Sequence, residues 1–162
     1  MTKDVKELLN MPVLTISTGK EMGTVEQFLF EPGAHRLYGI IVKSSTKDEP
    51  DTVVLSAKIK SFGDKAVTIV SEQDATVFAA DIRAQELARE STALNGIKVL
   101  TADGNEVGTI DTILINDDGT VAAYHTSSGL LGRGAGKDIA PDMVISAGKD
   151  AIIVSGVVLQ ES

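Results

Sequence analysis

The sequence predicts a mainly β protein: two tandem small six-stranded β-barrels joined by a linker helix. Three observations carry that prediction. The chain repeats itself at an offset of 85 residues, each repeat is cut into short Val-, Ile-, Thr- and Phe-rich stretches by turn residues, and a stretch free of Gly and Pro lies between the repeats.

The repeat runs the length of the unit. Leu9-Asn10 recurs as Leu94-Asn95, and Gly19, Glu21, Gly23 and Thr24 recur as Gly104, Glu106, Gly108 and Thr109. Val25, Phe28, Leu29 and Phe30 answer to Ile110, Ile113, Leu114 and Ile115. One deletion in the following turn shortens the offset to 84, so that Leu37 meets Val121. The offset then returns to 85, where Ser61, Gly63, Val67 and Ile69 meet Ser146, Gly148, Ile152 and Val154.

In the first unit the expected strands are Pro12–Ser17, Thr24–Phe30, Leu37–Lys43, Thr52–Leu55, a short piece near Ile59, and Ala66–Ser71. Glu31-Pro32-Gly33-Ala34 and Asp117-Asp118-Gly119-Thr120 are matching turns, as are Phe62-Gly63-Asp64-Lys65 and Ala147-Gly148-Lys149-Asp150. Gly23 and Gly108 enter a strand, where glycine marks a bulge or a barrel corner. Strands this short cannot make two broad sheets, and curling into a small barrel gives one compact core. Between the units, Thr76 to Ser91 reads as helix, with a modest stripe of Phe78, Ala80, Ile82, Ala84 and Leu87 and with Asp74 as N-cap. The division is 1–72, 73–93 and 94–162.

The net charge is −8, with −1 in residues 1–72, −2 in 73–95 and −5 in 96–162. Nucleic-acid binders gather cations on one face, so the acidic second unit speaks against direct nucleic-acid contact. Lys58, Lys60 and Lys65 are the only basic local run, and they read as a solvated strand edge. With no cysteine there is no disulfide, thiolate metal site or cysteine nucleophile. Apolar runs are only a few residues long and the first twenty residues lack a signal-peptide core, so a cytoplasmic protein without a transmembrane segment is expected.

The segments Leu94-Asn95-Gly96-Ile97-Lys98-Val99 and Asp103-Gly104-Asn105-Glu106-Val107-Gly108-Thr109-Ile110-Asp111 resemble the PRC-barrel family. So does the unit end Ile59-Lys60-Ser61-Phe62-Gly63-Asp64-Lys65-Ala66-Val67-Thr68-Ile69. That family takes its name from the cytoplasmic part of the photosynthetic reaction-centre H subunit, and it includes the C-terminal domain of a ribosome-maturation factor. The resemblance implies a small β-barrel with a binding or assembly role and no catalytic residues to carry over. The chain departs from the first relative in having no transmembrane helix. It departs from the second in carrying another barrel in place of a separate N-terminal domain.

Motifs for chemistry come back empty. The glycine-rich stretch from Gly129 to Asp138 has Leu131 where a phosphate loop needs its first Gly and Asp138 where it needs Ser or Thr, and no helix follows. It reads as a hairpin loop whose Leu130, Leu131 and Arg133 make a candidate partner-docking tip. His35 and His125 are non-equivalent and have no zinc spacing around them. His125-Thr126-Ser127-Ser128-Gly129 lacks the first Gly of a nucleophile elbow, and Asp103–Glu106 is too short for a calcium loop. Glu21 and Glu106 are equivalent carboxylates beside turn glycines, where a solvated role outweighs acid–base work. The reading is therefore a non-catalytic protein-interaction or assembly module, without cofactor or metal. It has a protein partner, and a homo-oligomer stays open. The alternatives are a ribosome- or RNA-processing-associated factor, and small-molecule binding at the barrel–barrel junction.

Overall fold

A computed structural model describes residues 2–31, 33–91, 96–127, 137–148 and 150–155. The first unit supplies six strands: β2 (Pro12–Thr15), β3 (Glu21–Glu31), β4 (Arg36–Ser44), β5 (Thr52–Leu55), β6 (Ile59–Phe62) and β7 (Val67–Ile69). The second supplies their equivalents: β9 (Lys98–Thr101), β10 (Glu106–Ile115), β11 (Val121–Ser127), β12 (Asp138–Ile139), β13 (Val144–Ala147) and β14 (Ala151–Val154). In each unit the first and last strands lie side by side in parallel, β2 with β7 and β9 with β14, which curls the sheet back on itself. The ladder runs β6-β7-β2-β3-β4-β5 in one unit and β13-β14-β9-β10-β11-β12 in the other.

Each sheet gains a seventh strand from outside its unit. The first takes β8 (Ala75–Val77) beside β5, and the second takes β1 (Lys3–Asp4) beside β10. Strand β8 explains why the helix starts later than the sequence predicts. Residues 75–77 satisfy their backbone on β5, a 3-10 turn follows at Phe78–Ala80, and only then does α2 (Ile82–Ser91) begin. Asp81, not Asp74, caps it, accepting a hydrogen bond from the Ala84 N–H at 2.9 Å. Asp74 instead closes a reciprocal capping box with Ser71. The expected stripe is also rotated. Ile82 is 73% exposed, while Ala84 and Leu87 are fully buried.

Parity along the strands shows what α2 is for. Phe28, Phe30, Ile40, Val42 and Val54 fill the inside of the first barrel, while Leu29, Ile41 and Val53 point outward and are buried under Ala84 and Leu87. The run Phe28-Leu29-Phe30 is therefore apolar on both faces of β3 because both faces are covered. Among the described residues no helix covers the equivalents of Ile41 and Val53 in the second unit. There the pair Ile41–Val53 is replaced by the solvent-facing pair His125–Asp138, at matched register on β11 and β12.

The same hydrogen bonds recur in both units and correct one step of the repeat. Asn10 donates its N–H to the Val25 carbonyl at 2.8 Å, and Gly96 donates to Ile110 at 2.8 Å. Both hold a positive φ, 69° and 95°. Asn10 is thus the equivalent of Gly96, one residue beyond the Asn95 that letter-matching selects. The first hairpin compensates by being a residue longer in the first unit, where Thr15 receives the Lys20 N–H on its hydroxyl just as Thr101 receives that of Asn105.

Candidate functional site

The two units meet along a backbone seam. Leu37 donates its N–H to the Gly119 carbonyl at 2.7 Å, and Val121 donates to the His35 carbonyl at 2.8 Å. Arg36 and Thr120 lie opposite one another as an antiparallel bridge. Leu37 is the repeat-equivalent of Val121, Arg36 of Thr120 and His35 of Gly119. The two bonds are therefore the same bond related by a local pseudo-two-fold axis. His35 and Gly119 both carry positive φ, 54° and 86°. Glycine is favoured at 119 by that positive φ, and the Ser56 hydroxyl of the other unit packs where a Cβ would lie. The buried side chains of both units form one continuous apolar cluster across this seam.

Segments preceding each unit cross to the other one. α1 (Val5–Leu8), capped by Asp4, packs with β1 on β10 of the second unit, and α2 packs on β3 of the first. The anchors are again equivalent positions. Thr112 donates its hydroxyl to Asp4 at 2.5 Å, and Gln27 donates its side-chain amide to the Ala88 carbonyl at 3.3 Å. Lys6 adds an ion pair to Asp111 at 2.7 Å, which holds the Asp111 carboxyl below the usual aspartate range.

A His–Tyr contact crosses the seam. His35 Nδ1 and the Tyr124 hydroxyl are 2.7 Å apart, with the rings edge to face. Burial lowers the His35 pKa from its ordinary 6.5 and pushes Tyr124 from 10.0 up to about 12. Both shifts favour the neutral pair, joined by one hydrogen bond whose donor is set by the imidazole tautomer. A depressed histidine contributes stability that is full above its unfolded value of 6.5 and is lost as pH falls through its lower folded value. A raised tyrosine contributes stability that is full below 10.0 and is lost as pH rises toward about 12. Thermal stability is therefore expected to hold a plateau between those unfolded values and decline on either side. In His35→Asn the upper part of the acid limb should flatten. The part set by Asp111 and Asp118, whose carboxyls titrate below the aspartate range, should persist. Melting curves of both proteins from about pH 2 to about pH 12 check this, and an unchanged acid limb would refute it.

Two surface hollows flank strand β6. One, of about 360 Å³, is lined by Lys3, Lys60, Ser61, Phe62 and Asp117 and spans the junction of the units. The other, of about 310 Å³, is lined by residues that include Lys58, Ile59, Lys60, Val70, Ser71 and Asp74. In the first, the Lys3 ammonium is already held by Asp64 at 2.7 Å.

The residues singled out from sequence fall apart in space. Leu130, Leu131 and Arg133 lie outside the described residues. His35 is at the seam, whereas His125 is on the outer face of β11, hydrogen-bonded to Asp138 at 2.5 Å. Glu106 pairs with Lys98 at 3.6 Å, and Glu21 is an exposed hairpin residue. Among the described residues no three His, Asp or Glu side chains gather as a metal site, and no helix is long and apolar enough to cross a membrane. Tyr124 and the seam escaped the sequence reading. Their one signal was the compensated deletion in the repeat, which falls on the hairpin turns that make the seam.

Curled six-stranded sheets whose first and last strands pair in parallel, present twice and sharing one core, define a duplicated small β-barrel protein. The family model described as PRC-barrel domain matches the chain twice, over residues 2–75 and 88–160. The chain belongs to the PRC-barrel family and holds two of its domains in tandem. No curated protein matches it significantly.

Proposed function

We propose that this chain is a non-catalytic interaction and assembly module, in which the barrels of residues 1–72 and 94–162 are fused into one body with 73–93 as a strap. The seam is the observation that carries this reading. Reciprocal backbone bonds and a shared core fix the spacing of the two barrels, as a part that holds partners at set positions requires. The acidic second unit favours a protein partner over RNA. The loop tip at Leu130, Leu131 and Arg133 is proposed as one docking point.

Affinity capture from native lysate tests the reading, with the full chain as bait at low salt. A stoichiometric protein partner is expected. Changing Leu130 and Leu131 to Ser should abolish capture without lowering the melting temperature, and unchanged capture would remove that tip. No partner at any salt would remove the reading itself. The junction hollow supports a second reading, a small-molecule site, because Lys60 and Asp117 come from different units. A thermal-shift screen that raises stability only when the hollow is intact would favour it.

A further inference from the structure

We propose that the free edge of β6 is a docking site for an extended acidic segment of a partner, which adds to the first sheet as a further strand. The proposal rests on the interaction-module reading and names the kind of partner for it. Strand β6 ends the ladder of the first unit, with β7 on one side and no strand on the other among the described residues. Its register to β7 breaks between Ile59 and Ser61, leaving Lys60 without an opposite residue. An unpaired edge offers backbone N–H and C=O groups to an incoming strand.

The chemistry of the edge selects the occupant. Lys3, Lys6, Lys20 and Lys98 each pair with a carboxylate of the chain. Lys58 and Lys60 form no ion pair among the described residues, in a protein whose net charge is −8. The acids near them are engaged elsewhere. Asp74 accepts the Ser71 N–H at 3.1 Å and Asp64 holds Lys3. Both hollows run along this strand and share Lys60, giving side-chain room on either flank. Val70, exposed just beyond the end of β7, lines the second hollow together with Lys58 and Lys60. A second copy's β6 would place lysine against lysine. A strand alternating acidic and apolar residues meets the Lys58 and Lys60 cations and can place a side chain in the hollow that Val70 lines.

The duplication supplies an internal control. The equivalent edge β13 has the same backbone, but Met143 and Ile145 stand where β6 has Lys58 and Lys60. An acidic strand should therefore choose β6 over β13.

The probe is a labelled ten-residue peptide alternating Glu and Val, titrated into the full chain at low salt, with amide hydrogen exchange mapping the contact. Saturable binding is expected, with new protection at residues 59–62 and none at 144–147. Changing Lys58 and Lys60 to Glu should weaken binding at least tenfold. A peptide of the same charge with proline in place of alternate valines should also lose at least tenfold, because it cannot donate to the edge. Equal binding of the proline peptide means charge attraction alone and overturns strand addition, as does protection mapped to another strand. Protection of 59–62 that grows with protein concentration in the absence of peptide overturns the choice of occupant in favour of a second copy. If the double-lysine variant captures the same partner from lysate as the native chain, this edge is wrong while the broader module reading stands.

Discussion

Replacing Gly23 with valine is expected to leave little folded protein, whereas replacing Gly19 with alanine should cost about 1–2 kcal/mol. Both glycines hold a positive φ, 153° and 67°. Gly19 sits in an open hairpin turn with nothing within 4 Å of where a Cβ would lie, so its substitution meets only the intrinsic left-handed penalty. Gly23 lies where β3 passes under β4, and a Cβ there would collide with the Lys43 carbonyl oxygen. That carbonyl belongs to the ladder, with Thr24 opposite Lys43 and Gly23 opposite Ser44, so it cannot retreat without breaking strand pairing. Backbone strain and a forced shift of two central strands together should exceed about 4 kcal/mol. Domains of ordinary size have only about 5–15 kcal/mol in total. Gly108 is the equivalent, with φ of 158° and a Cβ position 2.5 Å from the Ser127 carbonyl oxygen, and should behave alike. Chemical denaturation of Gly19→Ala and Gly23→Val in parallel checks the contrast. Equal, small losses in both would show that the close approach at Gly23 does not govern folding.

These two glycines also show which parts of the fold were legible in sequence. A corner glycine at a strand entry is a local fact, repeated 85 residues later, so the strands and turns around it could be read from short windows. The helix was half legible. Thr76 to Ser91 has helical composition, but residues 75–77 are claimed by β5, a tertiary partner that no window contains. Ile82 is exposed for a related reason, since the covered strip of Leu29, Ile41 and Val53 dictates which face of α2 turns inward. Letter-matching Asn10 to Asn95 failed because a one-residue slip of the chain preserves hydrogen bonding at Gly96. The least legible feature was the crossing of residues 3–8 onto the second unit. It depends on Thr112 and Asp111 offering anchors more than 100 positions away. At the candidate site, the Lys58–Lys65 run was visible as charge. That Lys58 and Lys60 lie on a free edge beside two hollows required the sheet order.

Leu37→Asp is expected to lower the melting temperature of the whole chain by roughly 10 °C or more, not of the first unit alone. Leu37 is 2% exposed and belongs to the apolar cluster that runs through both units, while its backbone N–H makes the seam bond to Gly119. A carboxylate there is buried without a partner and replaces apolar contacts, a loss of about 3–5 kcal/mol. For a chain of this length each 1 kcal/mol shifts the midpoint by about 2–4 °C. Val121→Asp, at the pseudo-symmetric position and 5% exposed, should produce the same shift from the other side. Arg36→Ala is the control. Its side chain is exposed and its part in the seam is the backbone bridge to Thr120, so it should move the midpoint little. Calorimetry decides between one body and two. If each barrel were an independent unit, Leu37→Asp would split the endotherm and leave the second barrel melting at its native temperature. Coupling through the seam demands instead a single transition that moves as a whole, because the second barrel's Val121, Tyr124 and Ile115 lose the same shared core.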